Sequence, residues 1–74
     1  MTGEQMRQAR ALLGWSSDEL AKAAGVGVAT IWRAEARRGA VKMLRATAAA
    51  VEQALRDAGV ELLKDGGVRK RRRR

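Results

Sequence analysis

The chain has 74 residues and a formal net charge of +8, from 16 Lys and Arg against 8 Asp and Glu. It contains no cysteine and no histidine, which excludes disulfides, thiolate nucleophiles, most zinc sites and an imidazole base. We therefore expect no enzymatic activity, no cofactor, no metal and no small-molecule ligand. A chain this short forms one domain with a thin core, and such a domain often gains stability as a homodimer.

The positive charge is unevenly distributed along the chain. Residues 69–74 form an uninterrupted basic run, and a second group of cations lies within residues 33–45. This distribution predicts a polyanionic partner, with nucleic acid favoured over an anionic membrane. No apolar run is long enough to span a bilayer, and the sequence contains no recognisable signal peptide. We expect a cytoplasmic protein that associates with DNA in the nucleoid and not with a membrane.

Glycine marks the boundaries of the predicted helices, because proline is absent. Residues 3–13 repeat apolar side chains at helical spacing, and Gly14 then suits a left-handed C-terminal cap. Ser16 and Glu19 have the spacing of a capping box, which predicts a short second helix that ends at Gly25. The first half of the chain is thus predicted to be a pair of capped helices.

Two further helices are predicted in the second half of the chain. The third covers about residues 27–37, and the fourth and longest covers about residues 43–58. Residues 60–68 alternate apolar side chains before an Asp-Gly pair, a pattern that fits either a short hairpin or a frayed tail. The predicted fold is all-α and compact, with four or five helices and a possible C-terminal hairpin or strand.

A short glycine turn between the second and third helices is the geometry of a DNA-binding helix-turn-helix. Ala21 is small where the third helix crosses the second, and Gly25 tolerates the positive φ of a sharp turn. Ile31 fills the space between the two helices. These residue types at this spacing predict the helix-turn-helix, with all three residues in structural roles.

Residues 17–26, followed by Thr30, Ile31 and Glu35, resemble the lambda-repressor-like (Xre/Cro) family of transcriptional regulators. Residues 9–15 are similar to that family's first helix and its exit. The resemblance implies a compact domain, usually dimeric, that places its third helix in the major groove of DNA. It also implies an ion pair between Arg10 and Glu35 that ties the first helix to the third.

The resemblance further implies a set of DNA contacts. Base edges are expected to be contacted by the first turns of the third helix: Gly27, Val28, Ala29, Trp32 and Arg33. Phosphates are expected to be contacted by hydroxyls and by the cations that follow this helix: Ser17, Thr30, Arg37, Arg38 and Lys42. Apolar side chains can touch a thymine methyl, and an arginine can contact guanine with two hydrogen bonds. For Trp32 two interpretations remain open, a groove-facing position or partial burial against Leu44 or the long helix.

The chain is predicted to divide into a DNA-binding domain (residues 1–59), a dimerisation segment (60–68) and a disordered basic tail (69–74). Five apolar residues are predicted to form the dimer interface: Val51, Leu55, Val60, Leu62 and Leu63. The tail consists of Arg69, Lys70, Arg71, Arg72, Arg73 and Arg74. It is expected to follow a phosphate backbone or enter a minor groove, to add non-specific affinity, or to bind RNA.

The favoured hypothesis is a small homodimeric regulator that binds a two-fold operator in double-stranded DNA and acts as a repressor or autorepressor. A second hypothesis is an adaptor-like or antitoxin-like protein whose C-terminal segment binds another protein. A third is a non-specific nucleic-acid binder driven by the tail, which predicts steep salt dependence and no sequence preference.

Overall fold

The computed structural model describes residues 1–36 and 43–71. These ranges contain four helices and one antiparallel hairpin, in the order α1 (Gly3–Leu13), α2 (Ser17–Ala24), α3 (Val28–Ala36), α4 (Arg45–Asp57), β1 (Val60–Leu62) and β2 (Val68–Lys70). The radius of gyration of 11.0 Å is that of a compact chain of this length. The prediction of a compact four- or five-helix domain is therefore confirmed, and of the alternatives left open for residues 60–68 the structure has the hairpin. In the described ranges no helix is long and apolar enough to cross a membrane.

The short helix α2 is stabilised at both ends by local hydrogen bonds. The Glu19 amide donates to Ser16 Oγ at 3.1 Å, and the Ser16 amide donates to Glu19 Oε1 at 2.7 Å, so the predicted capping box is confirmed. Gly25 ends the helix in the left-handed conformation, with φ of 72°. These two caps fix the length of α2 and hence the point at which α3 begins.

The core is built from all four helices and the first strand. Its largest fully buried side chains are Met6, Leu20, Ile31, Val51, Leu55 and Val60. Burial of side chains of this size stabilises the fold by roughly 1.5–3 kcal/mol each. Because Val60 belongs to this set, the hairpin is part of the domain, and the predicted boundary between residues 59 and 60 is wrong.

The predicted dimer interface needs a related correction. Val51, Leu55 and Val60 have no exposed surface in the folded chain, so they cannot contact a second subunit. The reason is that a domain of this size has few apolar residues, and the inward faces of α4 and β1 are needed to close its single core. Leu62 and Leu63 are half-buried and keep surface available to a partner.

The prediction of a disordered tail that begins at residue 69 is wrong, because Arg69 and Lys70 belong to strand β2 of the hairpin. Glu61 lies opposite Arg69 in the strand register, and Arg69 Nε lies 2.8 Å from Glu61 Oε1. The Arg71 amide donates to the Gly59 carbonyl, which extends the pairing beyond Lys70. Backbone pairing and a cross-strand ion pair thus order residues that their charge alone had assigned to a disordered tail. Arg72, Arg73 and Arg74 lie outside the described residues.

Candidate nucleic-acid interface

Helices α2 and α3 pack directly against each other across a short turn. Ala21 on α2 is 4% exposed, and Ile31 on α3 is fully buried. The turn between the helices is closed by two hydrogen bonds, from the Gly25 amide to the Lys22 carbonyl and from the Val26 amide to the Ala21 carbonyl. Ala21, Gly25 and Ile31 therefore have the structural roles predicted for them, and together they fix the position of α3 against α2.

One face of α3 points away from the core. Ala29, Trp32, Arg33 and Ala36 are all exposed, and their spacing of three and four residues places them along one side of the helix. We call these four residues the outward stripe. The opposite side of α3 carries the buried Ile31 and Ala34. The outward stripe is the part of α3 that can contact a partner without disturbing the fold.

Trp32 is the largest side chain of the outward stripe. It is 58% exposed, and Leu44, its predicted burial partner, is 78% exposed. These exposures favour the groove-facing interpretation of Trp32 over partial burial against Leu44 or the long helix. An indole at this exposure offers a partner a broad apolar face and one N–H donor.

The first helix is tied to α3 by the predicted ion pair. Arg10 Nε lies 2.7 Å from Glu35 Oε2, and Arg10 Nη2 lies 2.8 Å from Glu35 Oε1, so the pair is bidentate. Arg10 Nη1 also donates to the Trp15 carbonyl at 3.1 Å. The hydrogen bond to Glu35 raises the pKa of Arg10 above its ordinary value, although burial opposes this, so the guanidinium stays charged at any physiological pH. Both Glu35 oxygens are occupied and the pair is mostly buried, at 19% and 10% side-chain exposure, which agrees with a structural role.

A cleft of about 210 Å³ lies where α3 meets the start of α4. It is lined by Thr30, Arg33, Met43, Leu44 and Thr47. The sequence did not predict this cleft, because local spacing at the start of the fourth helix does not show that Leu44 is exposed there. Arg45, which follows Leu44, is exposed at the first turn of α4. The cleft thus brings a predicted base contact, Arg33, together with a predicted phosphate contact, Thr30.

The remaining residues predicted to contact DNA differ in how accessible they are. Gly27 is exposed and Val28 is half-buried, so the start of α3 is only partly accessible. Ser17 is half-buried in the first turn of α2, beside the exposed carboxylates of Asp18 and Glu19. These two negative charges weaken the attraction of a phosphate to Ser17. Three predicted phosphate contacts lie outside the described residues: Arg37, Arg38 and Lys42.

The geometry brings together a helix held at a fixed angle, an exposed face on that helix, and cations at its edge. This combination suits the binding of a polyanion that has a groove, because the helix can enter the groove while the cations neutralise the walls. Comparison with known proteins adds no further assignment: no family model and no curated protein matches the chain.

Proposed function

We propose that the protein is a sequence-specific, double-stranded DNA-binding transcriptional regulator that places α3 in the major groove. The observation that carries this proposal is the outward stripe, which stays exposed on a helix fixed by α2 on one side and by the Arg10–Glu35 pair on another. The resemblance of residues 17–35 to lambda-repressor-like regulators supports the same role. In this role the protein acts on DNA in the cytoplasm.

Electrostatics supports DNA as the partner. Arg33 and Arg45 are both exposed beside the cleft, and Glu35, the one carboxylate on α3, is neutralised by Arg10. The net charge of +8 attracts the protein to DNA from a distance and adds sequence-independent affinity that falls steeply with salt. In this proposal the outward stripe selects the DNA sequence, and the net positive charge strengthens binding to any DNA.

The proposal includes a homodimer on a two-fold operator, because a two-fold protein matches a palindromic pair of half-sites. The interface has to use surface apolar groups, and Leu62 and Leu63 on the hairpin remain accessible. Sedimentation equilibrium of the full chain should show a dimer, and Leu62→Lys should shift it toward monomer without unfolding it. A full chain that stays monomeric at tens of micromolar would exclude this part of the proposal.

The function is tested by titrating the full chain against the DNA upstream of its own gene and against a shuffled duplex, at two salt concentrations. We expect a preference of about a thousandfold for the upstream duplex. Arg33→Ala should reduce affinity for that duplex about ten- to a hundredfold. Equal affinity for both duplexes would contradict sequence-specific regulation.

Arg56→Ala provides the matched control for Arg33→Ala. Arg56 is an exposed arginine on α4, paired with Glu52 at 3.1 Å, and it lies eleven residues beyond Arg45. At a rise of 1.5 Å per residue it is therefore about 16 Å along α4 from the cleft. Each variant removes one positive charge, so a larger effect at Arg33 reports on position and not on net charge.

A protein partner is the second candidate, and the exposure of Trp32 and Leu44 favours it. In that case Trp32→Ala and Leu44→Ala would abolish co-purification with a fixed partner and leave DNA affinity unchanged.

A non-specific binder driven by the basic tail is distinguished by a chain that ends at Arg71, which keeps the hairpin and removes residues 72–74. Non-specific binding would be favoured if the full chain bound both duplexes with equal affinity and the chain ending at Arg71 bound neither.

A further inference from the structure

The outward stripe of α3 has an unusual hydrogen-bonding character. Its side chains offer donors, from the Arg33 guanidinium and the Trp32 indole N–H, and apolar surface from Ala29, Trp32 and Ala36. None of the four side chains has an acceptor. The nearest carboxylate in the helix, Glu35, has both oxygens bound by Arg10.

The four bases differ in how well their major-groove edges complement a surface that has donors and apolar groups but no acceptors. Guanine presents two acceptors, and thymine presents an acceptor and the only methyl group. Adenine presents one acceptor, N7, but adenine and cytosine each also present an amino group, which needs an acceptor. An amino group covered by the stripe would lose its water without gaining a partner, which reduces affinity by roughly ten- to a hundredfold.

We infer that the outward stripe follows a DNA strand on which thymine lies next to guanine, with Trp32 reading the thymine methyl and Arg33 reading the guanine acceptors. This inference rests on the proposed function and specifies the half-site that the same surface selects. Trp32 and Arg33 are both exposed and lie about 1.5 Å apart along the helix axis, less than the roughly 3.4 Å between base pairs, so we expect their contacts with two different bases of one strand to fall on neighbouring base pairs. Discrimination comes from the absence of acceptors as much as from the contacts that are made.

The experiment begins with a randomised duplex pool, from which the full chain enriches its preferred duplex. That duplex is then synthesised in three forms: unchanged, with deoxyuracil in place of thymine, and with 7-deazaguanine in place of guanine. Deoxyuracil removes only the methyl, and 7-deazaguanine removes the N7 acceptor. Each form is titrated with the full chain and with Trp32→Ala, Arg33→Ala and the control Arg56→Ala.

For the unchanged protein, we expect deoxyuracil to weaken binding about fourfold for each methyl contacted, and 7-deazaguanine to weaken it about fivefold or more. The deoxyuracil effect should vanish in Trp32→Ala and persist in Arg33→Ala. The 7-deazaguanine effect should show the reverse pattern, and Arg56→Ala should keep both effects. Trp32 and Arg33 are exposed, so both variants should keep the thermal unfolding midpoint of the parent, and the deoxyuracil comparison on the unchanged protein needs no variant.

Three outcomes overturn the inference, and the third is distinguishable from the first two. An enriched duplex that binds equally well with deoxyuracil, or a deoxyuracil effect that survives in Trp32→Ala, overturns the methyl reading and leaves the proposed function standing. A pool from which no sequence is enriched overturns the proposed function and the inference together.

Discussion

Gln5 Nε2 donates to the Leu63 carbonyl oxygen at 2.9 Å, which joins the first turn of α1 to a residue 58 positions later in the hairpin. The same amide nitrogen lies 3.0 Å from the Gly67 carbonyl oxygen, and Gln5 Oε1 accepts from the Thr2 amide at 2.9 Å. Gln5 is only 4% exposed. One buried side chain therefore caps α1 and anchors both arms of the hairpin turn.

We predict that Gln5→Ala lowers the free energy of unfolding by about 2 kcal/mol, since it leaves the Thr2 amide without its partner and removes a donor from two carbonyls. Urea unfolding followed by circular dichroism measures the loss. Gln8→Ala is the matched control, because Gln8 is exposed on the same helix and should change stability by less than about 0.5 kcal/mol. Equal losses in the two variants would show that the anchor is not important for stability.

Glu35→Ala should destabilise the fold by about 2–3 kcal/mol, because it leaves the mostly buried Arg10 guanidinium with two unpaired donors. The pair Glu52–Arg56 serves as the control, since its side chains are 37% and 52% exposed. Removal of Glu52 should cost less than about 0.5 kcal/mol. The double variant Arg10→Met/Glu35→Leu should be more stable than Glu35→Ala alone, since it removes both charges together. A Glu35→Ala protein as stable as Glu52→Ala would contradict the role of the pair in fixing α3.

The helices and their ends could be predicted from the sequence because their signals are local. The Ser16–Glu19 capping box and the left-handed Gly25 depend on neighbours within a few residues, and both were found where predicted. The Arg10–Glu35 pair spans 25 positions, and it was predicted through a family resemblance and not from local spacing. Local chemistry thus located the elements, and the resemblance supplied one contact between them.

The hairpin and its surroundings were predicted less well because their signals are not local. Val60 lies in a strand of three residues, too short for an alternation pattern to separate a strand from a frayed end. Periodicity identified Val51 and Leu55 as an apolar face but could not show whether the chain's own core or a second subunit covers that face. The sequence could not predict the exposure of Trp32 either. Ile31 and Ala34 already fill the side of α3 that faces the core, and local spacing does not show whether another element covers Trp32.

The glycines on either side of Val26 should respond oppositely to alanine. Gly25 has φ of 72°, so Gly25→Ala should cost about 1 kcal/mol of stability, although nothing lies within 4 Å of an added Cβ. Gly27 has no positive φ and equally open surroundings, so Gly27→Ala should be neutral or stabilise by up to about 1 kcal/mol through the unfolded state. Thermal unfolding measures both. Similar shifts for the two variants would contradict the assignment of Gly25 as the obligatory turn residue.

A chain that ends at Gly59 should fail to fold cooperatively, whereas a chain that ends at Arg71 should unfold like the full chain. The shorter chain lacks Val60, which fills the core, and the carbonyls of Leu63 and Gly67 that hold Gln5. The longer chain keeps the whole hairpin, including the hydrogen bond from the Arg71 amide to Gly59. Val60→Ala in the full chain gives the graded form of this test, with an expected loss of about 2 kcal/mol for the cavity it leaves. If the chain ending at Gly59 kept a sharp thermal transition, the hairpin would be an appendage of a self-sufficient helical domain, and residues 60–68 would again be free to serve a second subunit.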